Sequence, residues 1–504
     1  MTNEAAIEDL LQAAISAHQI GRLDEAEARY SAVLAGDPDN AQALRLRGVL
    51  SRQRGRVRES VGFLERAVQL SPEDATAAND LALSLMACGD LRGADIALRA
   101  ALGSAPDSPR ALANLGALLQ QRGHLAEAIS VHEHYLELIP DDLEVRCNLA
   151  NALMDAGRGE DSIAACDAAL ALAPGHPLVL ASKGAVLVGL ERFAEAAEVL
   201  RQALDDNPDD EMALINLAFA ARALGEGASA IEILTQAVRL SPDNARAAAD
   251  LANALLSAGQ VDRAIAACER FLAIHRGERL VLATYGYALG AAGRVDESRR
   301  IFDYDNLVRI RDVDAPHGFA NLDEFNDGLE SFVTTHASLL DDPVRKATTG
   351  GAQTGELDAL ESPVFAAFAS LVRREIEKTI LELRVEGFSK HEVMAYESDL
   401  WTLRTWGTVL SPGGSQAPHQ HPLAWLSGVY YVSLPAETDV GLLEFGAPPE
   451  RIGLRSEPDL RTVTPRPGRL VVFPSWFYHR TQPFTAGLRR ISIAFDVMPL
   501  AAGD

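Results

Sequence analysis

Three histidines near the end of the chain have the spacing to share one metal ion. His419 and His421 flank a single Gln after a Gly-rich stretch, and in an extended segment positions i and i+2 point to the same side. His479 lies well downstream, just after Phe473-Pro474-Ser475-Trp476. One His beside a strand is an ordinary structural residue. Three in this order, followed by Arg490 and Ser492 on a strand, form a candidate centre. Arg490 and Ser492 alternate with Ile491, Ile493, Phe495 and Val497, so the polar pair shares one face and the apolar set the other. An Arg and a hydroxyl on an inner face make a bidentate receptor for a carboxylate. Alternation also separates Tyr430 from Tyr431, placing one in a core and the other, Tyr431, toward the pocket. Trp425 and Trp476 flank the candidate site, as walls or as core.

The elements that must position these groups are strands. Residues 401–410, 426–434, 468–473 and 490–497 show period-two patterning and aromatic enrichment. Gly- and Pro-containing turns separate them, at Ser411-Pro412-Gly413-Gly414 and at Pro465-Arg466-Pro467-Gly468. Strands with such breaks predict a double-sheet jelly roll of the cupin kind over residues 390–504. Residues 307–389 read as a helical and loop junction: Thr348-Thr349-Gly350-Gly351 resembles a loop, and helical periodicity returns over 362–383.

Residues 1–306 have a different order. Prolines recur at one constant interval, at Pro38, Pro72, Pro106, Pro140, Pro174, Pro208 and Pro242. Glycines keep the same register from Gly21 through Gly293, with Glu191 filling the one gap, and small residues follow it from Ala26 to Ser298. A fixed 34-residue period is the signature of the tetratricopeptide repeat (TPR), a helix, a turn and a second helix. About nine such units are expected, forming an all-α superhelical solenoid whose concave face holds peptide. On the first helix of successive repeats, one position carries Asp80, Asn114, Asn148, Ser182, Asn216, Asp250 and Thr284. These short polar side chains are able to hydrogen-bond a peptide backbone. The series resembles, in part, the asparagine ladder of O-linked N-acetylglucosamine transferase, which clasps extended polypeptide. A ladder of polar groups merely tolerated beside a groove is the alternative.

The C-terminal run H-Q-H-P, S-G-V-Y-Y-V, G-R-L-V-V-F-P-S-W, H-R-T-Q-P-F and R-R-I-S-I-A-F-D-V resembles the 2-oxoglutarate/Fe(II)-dependent oxygenases found behind TPR arrays in bacteria. The resemblance implies a double-stranded β-helix, an Fe(II) ion and 2-oxoglutarate as co-substrate. By position it gives His419 and His479 ligand slots, and Arg490 with Ser492 the grip on 2-oxoglutarate; strand alternation adds Tyr431 as a co-substrate contact. One departure stands out. The superfamily uses two His and one carboxylate, and here the carboxylate slot holds His421. The metal then has three His ligands, or two with His421 standing off as in the aspartyl/asparaginyl β-hydroxylases, or a carboxylate from Glu444. The implied activity is hydroxylation of a side chain on a peptide or protein delivered along the TPR groove.

Bulk properties limit the rivals. A formal charge of −25 argues against a nucleic-acid partner, which needs a basic footprint. The chain opens without a basic and apolar leader and has no uninterrupted apolar stretch of the length a bilayer needs, so no membrane span is expected. Its four cysteines, Cys88, Cys147, Cys166 and Cys268, include no CxxC pair. They fit a reducing compartment and a cytoplasmic location. Two alternatives remain: a non-catalytic TPR scaffold with a degenerate cupin-like domain, and a cupin-type enzyme that does not use 2-oxoglutarate.

Overall fold

A computed structural model describes residues 3–343, 346–398, 400–435, 441–454, 457–485, 487 and 489–499. They fall into two compact units, one up to Val145 and one from Arg146 to Pro499.

Both units contain helix pairs in the register of the sequence repeat, and the same local chemistry builds each pair. First helices begin at Ala41, Ala75, Pro109, Leu143, Pro177, Glu211, Ala245 and Arg279. Asn40, Asp74, Asp210 and Asn244 cap four of them by accepting from a backbone N–H in the first turn, which satisfies an otherwise orphaned donor. The turn to the second helix needs a left-handed residue, and Gly55, Gly123 and Gly225 adopt φ of 77, 78 and 82° there. Glu191 holds φ 58° in the same role. Close helix contact follows from small residues. A Cβ added at Gly48, Gly116 or Gly184 would lie 2.6, 2.4 or 2.4 Å from Leu64, His132 or Leu200. The facing side chain of the second helix thus fills one slot in each of these repeats. His132 is fully buried in that slot.

Among the described residues the second unit adds ten strands: β1 (Arg309–Asp312), β2 (Leu340–Asp341), β3 (Thr348–Gln353), β4 (Trp401–His419), β5 (Leu426–Ser433), β6 (Leu443–Phe445), β7 (Arg461–Val463), β8 (Arg469–Pro474), β9 (His479–Thr481) and β10 (Arg490–Pro499). Pairing runs β1-β8-β5-β10-β4-β9-β6-β7, with β3 on β4 and β2 on β3, and every pair is antiparallel. The α-solenoid followed by a curled antiparallel sheet is the fold class expected from the sequence.

Two local readings need correction. Thr348–Gln353 is a strand, and β4 continues through Pro412-Gly413-Gly414. The glycines there serve close backbone approach: a Cβ on Gly414 would lie 2.5 Å from the Gly350 carbonyl oxygen, and one on Gly351 2.5 Å from that of Val409. The β3–β4 register shifts between Thr349 and Gly351, so the Gly-rich stretches form a bulged ladder, where turn-rich composition had pointed to loops.

A single hydrophobic core joins the last repeats to the sheet, from Ala218 through Tyr287 and Phe302 to Phe477, Ile493 and Val497. Polar contacts cross the same seam. Tyr287 donates to the Gly446 carbonyl at 3.1 Å and Ser257 to that of Ile452 at 3.0 Å. Arg279, on the helix Arg279–Ala291, donates to the Pro422 carbonyl at 2.6 Å and lies 3.9 Å from the Tyr396 ring centre. The helix Pro363–Val385 presents Phe365 and Phe368 to this core, where the Phe368 ring meets Tyr430.

Candidate metal centre

The end of β4 carries His419, the chain then turns at His421, and β9 opens with His479. Register pairs His419 directly with His479. The ligand-capable atoms of His419, His421 and His479 all lie within 4.8 Å of one another. Each ring is aimed by its Nδ1. That of His419 meets the Ala417 carbonyl at 2.8 Å and that of His479 the Phe477 carbonyl at 3.0 Å. Nδ1 of His421 meets Asp496 Oδ1 at 2.8 Å. A donor role for Nδ1 in each ring leaves the lone pair on Nε2, the arrangement that metal-bound histidines adopt. Nε2 of His421 is buried with no hydrogen-bond partner among the described residues, a cost a metal ion would remove.

The electrostatics agree with this. Burial pushes the His419 imidazole down to about 3, with the neighbouring His421 adding to the effect. His479 is driven well below its ordinary value by burial and by both neighbouring rings. Neutral rings are the form that binds metal.

The same cavity is lined by Tyr431, Arg490 and Ser492 together with the three histidines. Arg490 and Ser492 project from β10 on the face opposite the fully buried Ile491 and Ile493, and Ser492 pairs across the ladder with Tyr431. Arg490 is 2% exposed. Its Nη1 donates to the Gly441 carbonyl at 2.7 Å, and its guanidinium packs 5.2 Å from the Tyr431 ring centre. Gly441 has φ 69°, and a Cβ there would come within 2.9 Å of Arg490 Nη1, so glycine admits the arginine. Tyr430 points the other way and donates to Asn326 in the core at 2.7 Å. Both tryptophans are buried; Trp425 donates to the Val393 carbonyl and Trp476 to that of Ile301. Glu444 is engaged elsewhere, by Arg480 at 2.6 Å and Gln482 at 2.6 Å, while its neighbours Leu443 and Phe445 take the side paired with Thr481 and His479.

Sequence reading missed Asp496, Ser427, Trp406 and Gly441. Asp496 shares the even-numbered face of β10 with Arg490 and Ser492, so period two alone pointed to it. Trp406 stacks on His421 with ring centres 5.4 Å apart, a contact that required the β4–β10 pairing to be known.

Of the repeat ladder, Asp80 accepts from Arg45 at 2.9 Å and Asn114 donates to Asn79 at 2.8 Å. Asp250 faces Arg246 at 3.3 Å. Asn148 and Asn216 are half-buried.

Comparison with known families agrees with this layout. Residues 404–496 match the family described as "Putative 2OG-Fe(II) oxygenase". Tetratricopeptide-repeat models match residues 11–75 and 79–142, and 119–186, 187–234 and 221–284. The chain therefore consists of tetratricopeptide repeats followed by a C-terminal domain of that oxygenase family. Such a domain implies Fe(II) and 2-oxoglutarate, and TPRs in general mediate protein or peptide binding. No curated protein matches the chain. Among solved structures, the TPR protein YrrB, described as having an unusual peptide-binding site, is 20% identical over 37% of this chain and 95% of its own, with a TM-score of 0.32. Pseudomonas aeruginosa PilF is 20% identical over 41% and 94%, at 0.34. A TPR protein from Parabacteroides merdae is 19% identical over 45% and 91%, at 0.37. Among the described residues no helix is long and apolar enough to cross a membrane.

Proposed function

We propose that this chain is an Fe(II)- and 2-oxoglutarate-dependent oxygenase that hydroxylates a side chain of a peptide or protein held by its repeats. The observation that carries the reading is the convergence of three imidazoles, each fixed through Nδ1, in one cavity with a buried arginine. His419, His421 and His479 would hold the ion. Arg490, Ser492 and Tyr431 would receive the far carboxylate of 2-oxoglutarate, with charge and geometry suited to it. When bound, the ion and co-substrate supply the oxidising power for hydroxylating an unactivated C–H bond. The protein contributes orientation and a dry site: Leu443, Phe473 and Val429 wall the cavity against water.

Within this reading residues 1–306 carry the substrate, 307–389 link and pack, and 390–504 perform the chemistry. Asn114, Asn148 and Asn216, with Asp80 and Asp250, are the proposed peptide contacts. Four cysteines outside any disulfide among the described residues support a reducing, cytoplasmic setting.

Incubating the protein with Fe(II), 2-oxoglutarate and a peptide pool, then assaying succinate, tests the activity. No succinate with any pool favours the non-catalytic scaffold. Arg490→Ala should lose nearly all turnover. Intact activity in that variant would instead indicate cupin chemistry without 2-oxoglutarate. Replacing Asn114, Asn148 and Asn216 together should raise KM for peptide, and unchanged peptide turnover would remove the ladder from the proposal.

A further inference from the structure

The three candidate ligands are not supported alike. His419 and His479 lean on backbone carbonyls, which no side-chain change alters. His421 alone leans on a carboxylate, at 2.8 Å. That carboxylate is 8% exposed and is itself oriented, because Ser427 donates its hydroxyl to the same Asp496 Oδ1 at 2.6 Å. Ser427 and Asp496 face each other across the β5–β10 ladder, so the sheet register fixes the pair. Two donors on one buried carboxylate oxygen, with Trp406 stacked on the imidazole, leave the ring little rotational freedom.

From this arrangement we infer that Asp496 is a positioning residue for the metal centre. Through His421 it returns the negative charge that a two-histidine, one-carboxylate site places directly on the ion. The inference rests on the metal-centre reading above. A facial triad with a carboxylate ligand brings one anionic donor to a divalent ion, whereas three imidazoles bring none. Asp496 sits one hydrogen bond behind the substituted ligand. It selects the tautomer with Nε2 bare, makes the imidazole a stronger donor, and restores a negative charge to the centre's surroundings. Outer partners of this kind typically change metal affinity about 10- to 100-fold when removed.

Titrating the full-length protein with Co(II), followed by its visible absorption, reads both affinity and ligand field without any turnover. Asp496→Asn keeps shape and removes charge. It should weaken Co(II) binding on the order of 10- to 100-fold and shift the absorption band. Ser427→Ala removes only the orienting hydroxyl and should move both readouts in the same direction by less. Thermal melts check that each variant folds, and if Asp496→Asn does not, Ser427→Ala decides alone. Wild-type affinity and band in both variants would make Asp496 a purely structural residue and overturn the inference, while the metal centre stood. Undiminished Co(II) binding by His421→Ala would overturn it too, leaving a two-histidine centre. Absence of Co(II) binding by the wild type would remove the metal-centre reading itself.

Discussion

His132→Leu should stabilise the N-terminal unit and flatten its response to acid. His132 fills, over Gly116, the slot that Leu64 fills over Gly48 and Leu200 over Gly184. Both of its ring nitrogens are buried without a hydrogen-bond partner among the described residues. A buried polar group left unsatisfied costs about 1–3 kcal/mol, and leucine removes that cost while keeping similar volume in a slot already shaped for it. Acid makes the contrast larger. Burial lowers the His132 pKa from its ordinary 6.5 to about 4, so between those values the unfolded chain binds a proton that the folded one refuses. Stability is then fullest above about pH 6.5 and falls as pH drops toward about 4, by at most ~3 kcal/mol. For a unit of this size 1 kcal/mol corresponds to roughly 3 °C in melting temperature. The variant should therefore melt about 3–9 °C higher at pH 7.5, with a wider gap at pH 4.5. Calorimetry of wild type and variant at both pH values gives the answer. Equal melting temperatures at pH 7.5 would refute the slot argument, and a gap that does not widen in acid would refute the charge argument.

Glu191→Gly relieves a left-handed residue costing about 1–2 kcal/mol, partly offset by the freer unfolded chain. A net gain near ~0.5–1 kcal/mol should appear in denaturant titrations, and a loss would mean that the Glu191 side chain has a use. Arg279→Met removes a charged hydrogen bond to the Pro422 carbonyl, worth about 1.5–3 kcal/mol, and the stacking on Tyr396, with part returned because burial disfavours the guanidinium. Because Pro422 follows His421, Co(II) affinity should drop along with the melting temperature of the second unit, and an unchanged affinity would show that the contact does not steady the metal loop. A fragment spanning only 390–504 should be insoluble, since it lacks Tyr287, Phe302 and Tyr304, which cover Phe477 and Tyr478; a soluble fragment that binds Co(II) contradicts the shared core.

The repeats were legible because one constraint recurs at a constant interval: the left-handed turn, the small contact residue and the capped start each return in the same register. The last strand was legible for a similar reason, as β10 alternates Arg490, Ser492 and Asp496 with Ile491, Ile493 and Val497. The short ones were not. β6, β7 and β9 are three residues each, too brief for a period, and β3 is masked by glycines chosen for close approach to β4. The candidate ligands and the Arg490–Ser492 face could be picked out because their chemistry is unusual at that spacing. Asp496 and Ser427 were hidden because an acid and a hydroxyl on a strand are common, and only the register of two strands distant in sequence brings them to His421. The merging of the last repeats with the sheet was equally hidden, because it depends on which apolar faces meet.

That merging makes the second unit a ruler. Tyr287, Ser257 and Arg279 tie the final repeats to the loops after β6 and before β5, so the distance from those repeats to the histidine cluster does not vary from one encounter to the next. Under the proposed function, a chain gripped there would be modified at a residue set by counting along its backbone from the grip, with local sequence at the target of secondary importance. Inserting or deleting residues between the gripped segment and the target would then move the modification to a new side chain.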